Sequence, residues 1–201
     1  QDYKAMLSKE KMDAVILCIP PDAHGEIEEL CCKKKINLYI EKPVALSMET
    51  AAAVSEAVKF SNIITSVGYQ ERYSAPLPLV KEIVEKEPVG LVTATWIGDI
   101  YEAKWWGKKL LSGGQVVEQT THMVDMMRYL FGEVFTVYAV GARNESFGGE
   151  EHDIEDFSSA ILSFKSGVTV NMLSGCYSKG SGKIGFEIFT PNFRIEYTWG
   201  Q

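Results

Sequence analysis

A chain of 201 residues with 46% hydrophobic and 23% charged side chains has an ordinary globular composition and enough length for one large or two small packed cores. Its formal net charge of -7 excludes a surface built for nucleic acid or anionic membrane, because phosphate binding needs clustered Lys and Arg. No apolar stretch reaches membrane-spanning length, and the opening QDYKAMLSKEKMD lacks the basic-then-apolar layout of a signal peptide, so a cytoplasmic protein is expected.

In chain order, a helix ends near Lys11, and Asp13 to Ile19 is a continuous apolar run of the kind that parallel sheets bury on both faces. Pro20-Pro21 stops it. Ala23 to Lys34 reads as a helix ending in the solvated run Lys33-Lys34-Lys35. A strand follows from Ile36 to Ile40, then an Ala-rich helix from Met48 to Phe60 and a third strand from Ile63 to Val67. Strands separated by helices predict right-handed βαβ units and a parallel sheet, whose ligands gather at the carboxyl ends of the strands. The loops Pro20 to His24 and Glu41-Lys42-Pro43 sit at such ends. Pro43 holds the residue before it in extended backbone, which aims Lys42 out of the strand end.

After Gly68 the texture changes. A helix is predicted over Pro76 to Lys86, a strand over Leu91 to Ile100, and a long helix from Gly113-Gly114 through Leu130 that Gly132 closes. Strands then follow at Val134 to Ala142, Ile154 to Phe164, Val168 to Cys176, Ile184 to Thr190 and Phe193 to Thr198. Lys165-Ser166-Gly167 and Thr190-Pro191-Asn192 read as hairpin turns. The predicted fold class is therefore α/β: a parallel sheet over residues 1–72, which the resemblance given below makes a partial Rossmann-like one, followed over 73–201 by an α+β domain with an open, mainly antiparallel sheet.

At about 100° per residue, Gln115, Glu118, His122, Asp125 and Tyr129 form one polar stripe on the long helix. Glu118 and His122 are one turn apart, and a carboxylate beside a histidine orients the ring for proton transfer. Every amphipathic helix has a polar face, but this one starts just after a Gly-Gly pair that permits close backbone approach by a ligand. A metal held by Glu118, His122 and Asp125 is a rival reading that needs a fourth ligand from elsewhere; no metal is assigned. Trp105-Trp106 can wall a ligand site with flat apolar faces, with at least one of the two packing in the core. His152, in the acidic GGEEHDIED run, reads as exposed, and His24 as a helix cap. Cys18, Cys31, Cys32 and Cys176 show no CxxC or zinc spacing, and Cys31-Cys32 read as small buried hydrophobes.

Three ordered segments, DAVILCIPPDAH (Asp13 to His24), EKP (Glu41 to Pro43) and GGQVVEQTTHMVDMMRYLFG (Gly113 to Gly132), with GYQERY (Gly68 to Tyr73) between them, resemble the Gfo/Idh/MocA family of NAD(P)-dependent oxidoreductases. The resemblance runs through nearly the whole chain. It implies a Rossmann domain followed by an α/β domain whose open sheet mediates homo-oligomers, a sugar, polyol or inositol-like substrate, and NAD or NADP as cofactor. By position Lys42 matches the family's catalytic lysine, His122 its proton-transferring histidine, and Glu118 the acidic residue one turn earlier, where the family usually has Asp. Pro20, Pro21, His24 and Glu41, with Lys42, match the cofactor-side loops, and Gln70 and Arg72 the stretch lining the join between domains.

The chemistry is coherent on its own terms. Oxidising a carbinol sends hydride to a nicotinamide while the hydroxyl loses a proton, so a placed base such as His122 lowers the barrier. A fixed Lys42 stabilises charge on the substrate oxygen. The family's strand, glycine-rich turn and ribose-binding acid do not occur in this sequence, whose first glycine is Gly25. The chain is therefore expected to be a piece of a longer enzyme, truncated also at its C-terminal end, with an incomplete NAD site and little activity alone. Two alternatives stay open: a non-catalytic remnant serving as an oligomerising or ligand-binding module, and a metal-dependent hydrolase or isomerase using the helix stripe.

Overall fold

Parallel pairing of three short strands organises the first part of the chain. The computed structural model describes residues 2–144 and 152–199, so the acidic stretch ahead of His152 lies outside the described residues. The chain divides into two units, Gln1–Gly68 with Leu110–Gly113, and Tyr69–Lys109 with Gly114–Gln201.

In the first unit β1 (Ala14–Leu17), β2 (Asn37–Ile40) and β3 (Thr65–Val67) lie in the order β1-β2-β3, all parallel. They are joined by α2 (Glu26–Lys33) and α3 (Met48–Ser61), and α1 (Tyr3–Lys9) precedes them. Each helix has its stop and start in sequence. Asp2 caps α1 by accepting from Lys4 and Ala5 N–H, Ser47 caps α3 by accepting from Thr50 N–H, and Asn62 ends α3 in the left-handed region. Leu7, Leu17, Ile27, Cys31, Cys32, Ile36, Leu38 and Ile40 form one core, each large aliphatic contributing about 1.5–3 kcal/mol by leaving water. Cys31 and Cys32 are thus the small core residues the sequence predicts.

The run at β1 departs from expectation. Only Leu17 of its four residues is buried, and Ile16 is 70% exposed. Among the described residues β1 is an edge strand with nothing over one face, so its apolar side chains have no cover.

The second unit is built on a six-stranded sheet in the order β5-β6-β7-β4-β8-β9, with β4 (Leu91–Ile97), β5 (Val134–Ala142), β6 (Phe157–Phe164), β7 (Thr169–Gly175), β8 (Lys183–Phe189) and β9 (Arg194–Thr198). β4 pairs parallel with β7, and every other pair is antiparallel. Both predicted hairpins form: Phe164 N–H donates to Val168 C=O at 2.9 Å, and Thr190 N–H to Phe193 C=O at 2.9 Å. One face of the sheet packs on α4 (Leu77–Lys86) and α6 (Thr121–Phe131), through Leu77, Val80, Met123, Met127, Phe131, Val170, Phe186 and Ile188 among others. β5 is exposed along almost its whole length and presents Phe135, Val137, Tyr138 and Val140 to solvent.

The predicted long helix forms as one helical run from Gln115 to Phe131, with a π segment in its first part. Lys109–Ser112 forms a short α5, Val116–Thr120 is a π turn, and α6 continues to Gly132, whose φ of 86° and N–H to Arg128 C=O at 2.9 Å close it. Beneath the π turn, Thr120 Oγ1 donates to Gln115 Oε1 at 3.1 Å and lies 2.6 Å from Ser174 Oγ. These buried hydroxyls tie the turn to β7 in place of regular helical bonds.

Candidate active site

In the first unit the parallel register sets the carboxyl ends of β1, β2 and β3 along one edge, the edge at which α/β sheets collect ligands. Pro20 and Pro21 follow β1, and Pro20 C=O accepts from Ala23 N–H at 3.0 Å to close a short 3-10 turn. His24 comes next and is buried: its Nδ1 donates to Glu28 Oε1 at 2.5 Å, and Glu28 Oε2 accepts the Gly25 N–H at 2.6 Å. Glu28 is itself fully buried, so these two donors offset the cost of enclosing its charge. His24 Nε2 is buried with no hydrogen-bond partner among the described residues. At the end of β2, Glu41 Oε2 accepts the Lys42 N–H at 3.2 Å, and the Lys42–Pro43 peptide is cis. A Cβ added at Gly68, at the end of β3, would stand 2.9 Å from Glu41 Oε1. Glycine there is what admits the Glu41 carboxylate. Pro20, Pro21, His24, Glu41 and Lys42 therefore all belong to one strand-end edge.

In the second unit His122 is enclosed by aromatic rings. Trp96 stacks on it at 5.4 Å and 13°, and Trp199 and Tyr69 meet it edge-on at 5.2 and 6.0 Å. Tyr69 is itself anchored, its hydroxyl 3.1 Å from Thr121 Oγ1. The imidazole plane is thereby fixed. Glu118, on the π turn, accepts from the Trp106 indole N–H at 2.7 Å within the core. Asp125 receives both Arg72 Nε at 2.7 Å and Arg72 Nη2 at 2.5 Å, a bidentate pair that holds the Arg72 pKa above its usual range, first through the hydrogen bond itself. The guanidinium also lies 5.3 Å from the Tyr129 ring centroid. Gln70 stands exposed at the head of the turn that carries Arg72.

The stripe residues Gln115, Glu118, His122 and Asp125 are all buried, and the expectations for Trp106 and His152 need correction. With both oxygens of Asp125 taken by Arg72, the stripe also does not offer the ligand set of the metal reading. Trp106, expected to wall a substrate pocket, is 0% exposed and acts instead on Glu118. His152, expected in solvent because of its acidic neighbours, is buried beside Asp156 with Nε2 3.1 Å from Oδ1. Trp96, Trp199 and Tyr69 were missed around His122. The one local signal was the placement of Trp96 on the core side of β4, two residues after Ala94.

Residues 81–196 match the profile of the GFO/IDH/MocA C-terminal domain, and residues 1–69 that of the oxidoreductase family NAD-binding Rossmann fold. The chain belongs to the GFO/IDH/MocA family. Myo-inositol 2-dehydrogenase of Thermotoga maritima is 29% identical over 171 residues, covering 83% of this chain and 51% of that protein. A crystal structure of levoglucosan dehydrogenase in complex with NADH and L-sorbose superposes with a TM-score of 0.89 at 23% identity, over 100% of this chain and 57% of that one. The WlbA dehydrogenase of Bordetella pertussis, in complex with NADH and UDP-GlcNAcA, gives a TM-score of 0.86 at 23% identity, over 98% of this chain and 62% of that one. At that identity the solved structures show the GFO/IDH/MocA fold. The chain spans about half the length of the curated relatives it matches.

Proposed function

We propose that this chain carries the substrate-side residues of an NAD(P)-dependent oxidoreductase acting on a sugar, polyol or inositol-like carbinol, with His122 moving the hydroxyl proton and Lys42 stabilising the substrate oxygen. The observation that carries the reading is the immobilised His122, clamped between Trp96, Trp199 and Tyr69. A base held in one plane loses little on reaching a reactive geometry.

The first unit fits a nicotinamide at its strand-end edge. The Glu41 carboxylate, admitted by the absence of a side chain at Gly68, stands at that edge, and Pro20, Pro21, His24 and Lys42 lie on the neighbouring loops. When bound, the nicotinamide supplies the hydride acceptor. Everything else falls to the chain's own side chains. His122 accepts the carbinol proton in oxidation and returns it in reduction. The Lys42 ammonium donates to the oxygen as it gains negative charge, which is where a fixed cation is most effective. Trp106 holds the Glu118 carboxyl group at a constant place one turn before His122, and Arg72 does the same for that of Asp125. These two are positioning pairs.

Homo-oligomerisation through the open sheet is part of the same proposal. Tyr138 and Val140 on β5 share one sheet face with Ile161 on β6, the register partner of Tyr138, and all three are exposed, an apolar area of the kind that marks association. Tyr138→Glu is expected to shift the species seen in sedimentation toward monomer.

The experiment for the activity is reduction of NAD and NADP by the natural full-length protein with a panel of inositols, hexoses and anhydro sugars. Turnover of at least one, lost in His122→Asn, is expected. No turnover with any carbinol, despite measurable cofactor binding, would return the chain to the ligand-binding reading.

A further inference from the structure

A second polar cluster lies in the core of the second unit, on residues that the proposed reaction does not use. His152, Asp156 and Cys176 are all buried, and one ligand atom from each lies within 4.8 Å of the others. Asp156 precedes β6 and Cys176 follows β7, whose antiparallel pairing brings them together, with Cys176 N–H donating to Asp156 C=O at 2.9 Å.

Two details say that the cluster lacks a component. His152 Nε2 and Asp156 Oδ1 are 3.1 Å apart, yet neither makes an aligned hydrogen bond among the described residues. The second carboxylate oxygen is satisfied by the Asn144 N–H. A buried carboxylate with one oxygen unsatisfied is costly unless a charge answers it. Tetrahedral zinc, with bonds of about 2.0–2.1 Å to N and O and about 2.3 Å to S, separates its ligand atoms by about 3.3–3.6 Å. The His152–Asp156 spacing is close to that.

We infer that His152, Asp156 and Cys176 form a binding site for a zinc-class divalent ion. One thiolate, one imidazole and one carboxylate select zinc over magnesium or calcium, which prefer all-oxygen sites. The charges balance: Asp156 and the Cys176 thiolate carry two negative charges against two positive ones on the ion, with His152 neutral. The thiol proton leaves to solvent on binding, so no oxidant or co-reactant is involved. Three protein ligands leave a fourth position for water. Asp153, Phe157 and Tyr177, next to the ligands in sequence, are exposed, so the site lies one residue below the surface.

The ion would brace the loop that positions Glu118. Trp106 packs with Ile154 and Cys176 in one small core and its ring lies 6.2 Å from His152, while Asp153 N–H donates to Gly107 C=O at 2.9 Å. Sequence reading passed over the cluster because His152 and Cys176 are far apart along the chain and make no zinc-spaced motif.

The test is metal uptake by the natural full-length protein, purified without a metal-affinity tag and treated with chelator, then titrated with zinc and separately with cobalt. The expected result is one zinc per chain, release of about one proton per ion, and a thiolate-to-cobalt absorption band. Cys176→Ser and His152→Ala should weaken zinc binding by more than the roughly 10–100-fold typical of losing an outer partner, whereas Cys18→Ser should change nothing. Because a buried substitution can unfold the chain, the cobalt spectrum of the unmodified protein decides independently. No thiolate band, or zinc uptake equal in wild type and a folded Cys176→Ser variant, overturns the inference and leaves His152 and Asp156 as a buried ion pair.

Discussion

The two units hold their candidate residues by different means. In the first, the side-chain hydrogen bonds of His24 and Glu41 described above are local: His24 with Glu28, Gly25 with Glu28, Glu41 with the next amide. In the second, the partners are remote in sequence: Trp106 with Glu118, Tyr69 with Thr121, Arg72 with Asp125, Tyr197 with Glu71. The strand-end loops follow directly from β1 and β2, whereas the buried helix needs the packed unit around it. Activity and stability should therefore separate in the first unit and fall together in the second.

The largest effect is expected at His122. His122→Asn should lower kcat by about 100- to 10,000-fold, read below the variant's unfolding temperature; a change under about tenfold would remove the base from the account. Next comes Lys42→Met, which should lower kcat by about 100- to 1,000-fold while chemical denaturation shifts by no more than about 0.5 kcal/mol. A large loss of stability there would break the comparison, because it would make Lys42 part of the scaffold. Trp106→Phe sharpens the other half. It strips the buried Glu118 carboxylate of a donor and should cost about 1–3 kcal/mol of stability, with a smaller fall in kcat than at His122.

The smallest effect is a pH dependence. Burial, then the hydrogen bond to Glu71, pushes the Tyr197 pKa up from 10.0 to about 12. The folded state thus holds this proton more tightly than the unfolded chain. Its stabilisation is complete below pH 10 and drains away as pH rises toward about 12. Cys31, pushed up by burial from 9.0 to about 11, adds the same sign of dependence at slightly lower pH in the first unit. Tyr197→Phe should flatten the alkaline fall in stability of the second unit, and Cys31→Ala that of the first.

Much of the architecture was legible because it follows from local pattern. The span of β5 is as the sequence predicts, α3 differs by one residue, and Gly132 ends α6 as expected. What stayed hidden is non-local. The π segment at the start of the long helix, and the bonds of Gln115 and Thr120 to Ser174 beside it, involve a strand that sequence pattern does not align with them. Trp106 looks like a surface ring until its indole N–H meets Glu118, and His152 looks solvated until the strand pairing brings Asp156 and Cys176 beside it. For the site, residue types and spacing picked out Lys42, Glu118 and His122, but the aromatic clamp on His122 comes from Trp96 and Trp199, which lie on β4 and just past β9.

On the proposed reading, Lys42 and His122 serve one chemical step. The most direct measurement is kcat for Lys42→Met, His122→Asn and the double variant in the natural full-length protein, with the substrate found by the panel. Residues acting as a unit are strongly non-additive, so the double variant should be slower than the worse single one by no more than about tenfold. Losses that simply multiply would mean that the two side chains act independently, and would contradict the account.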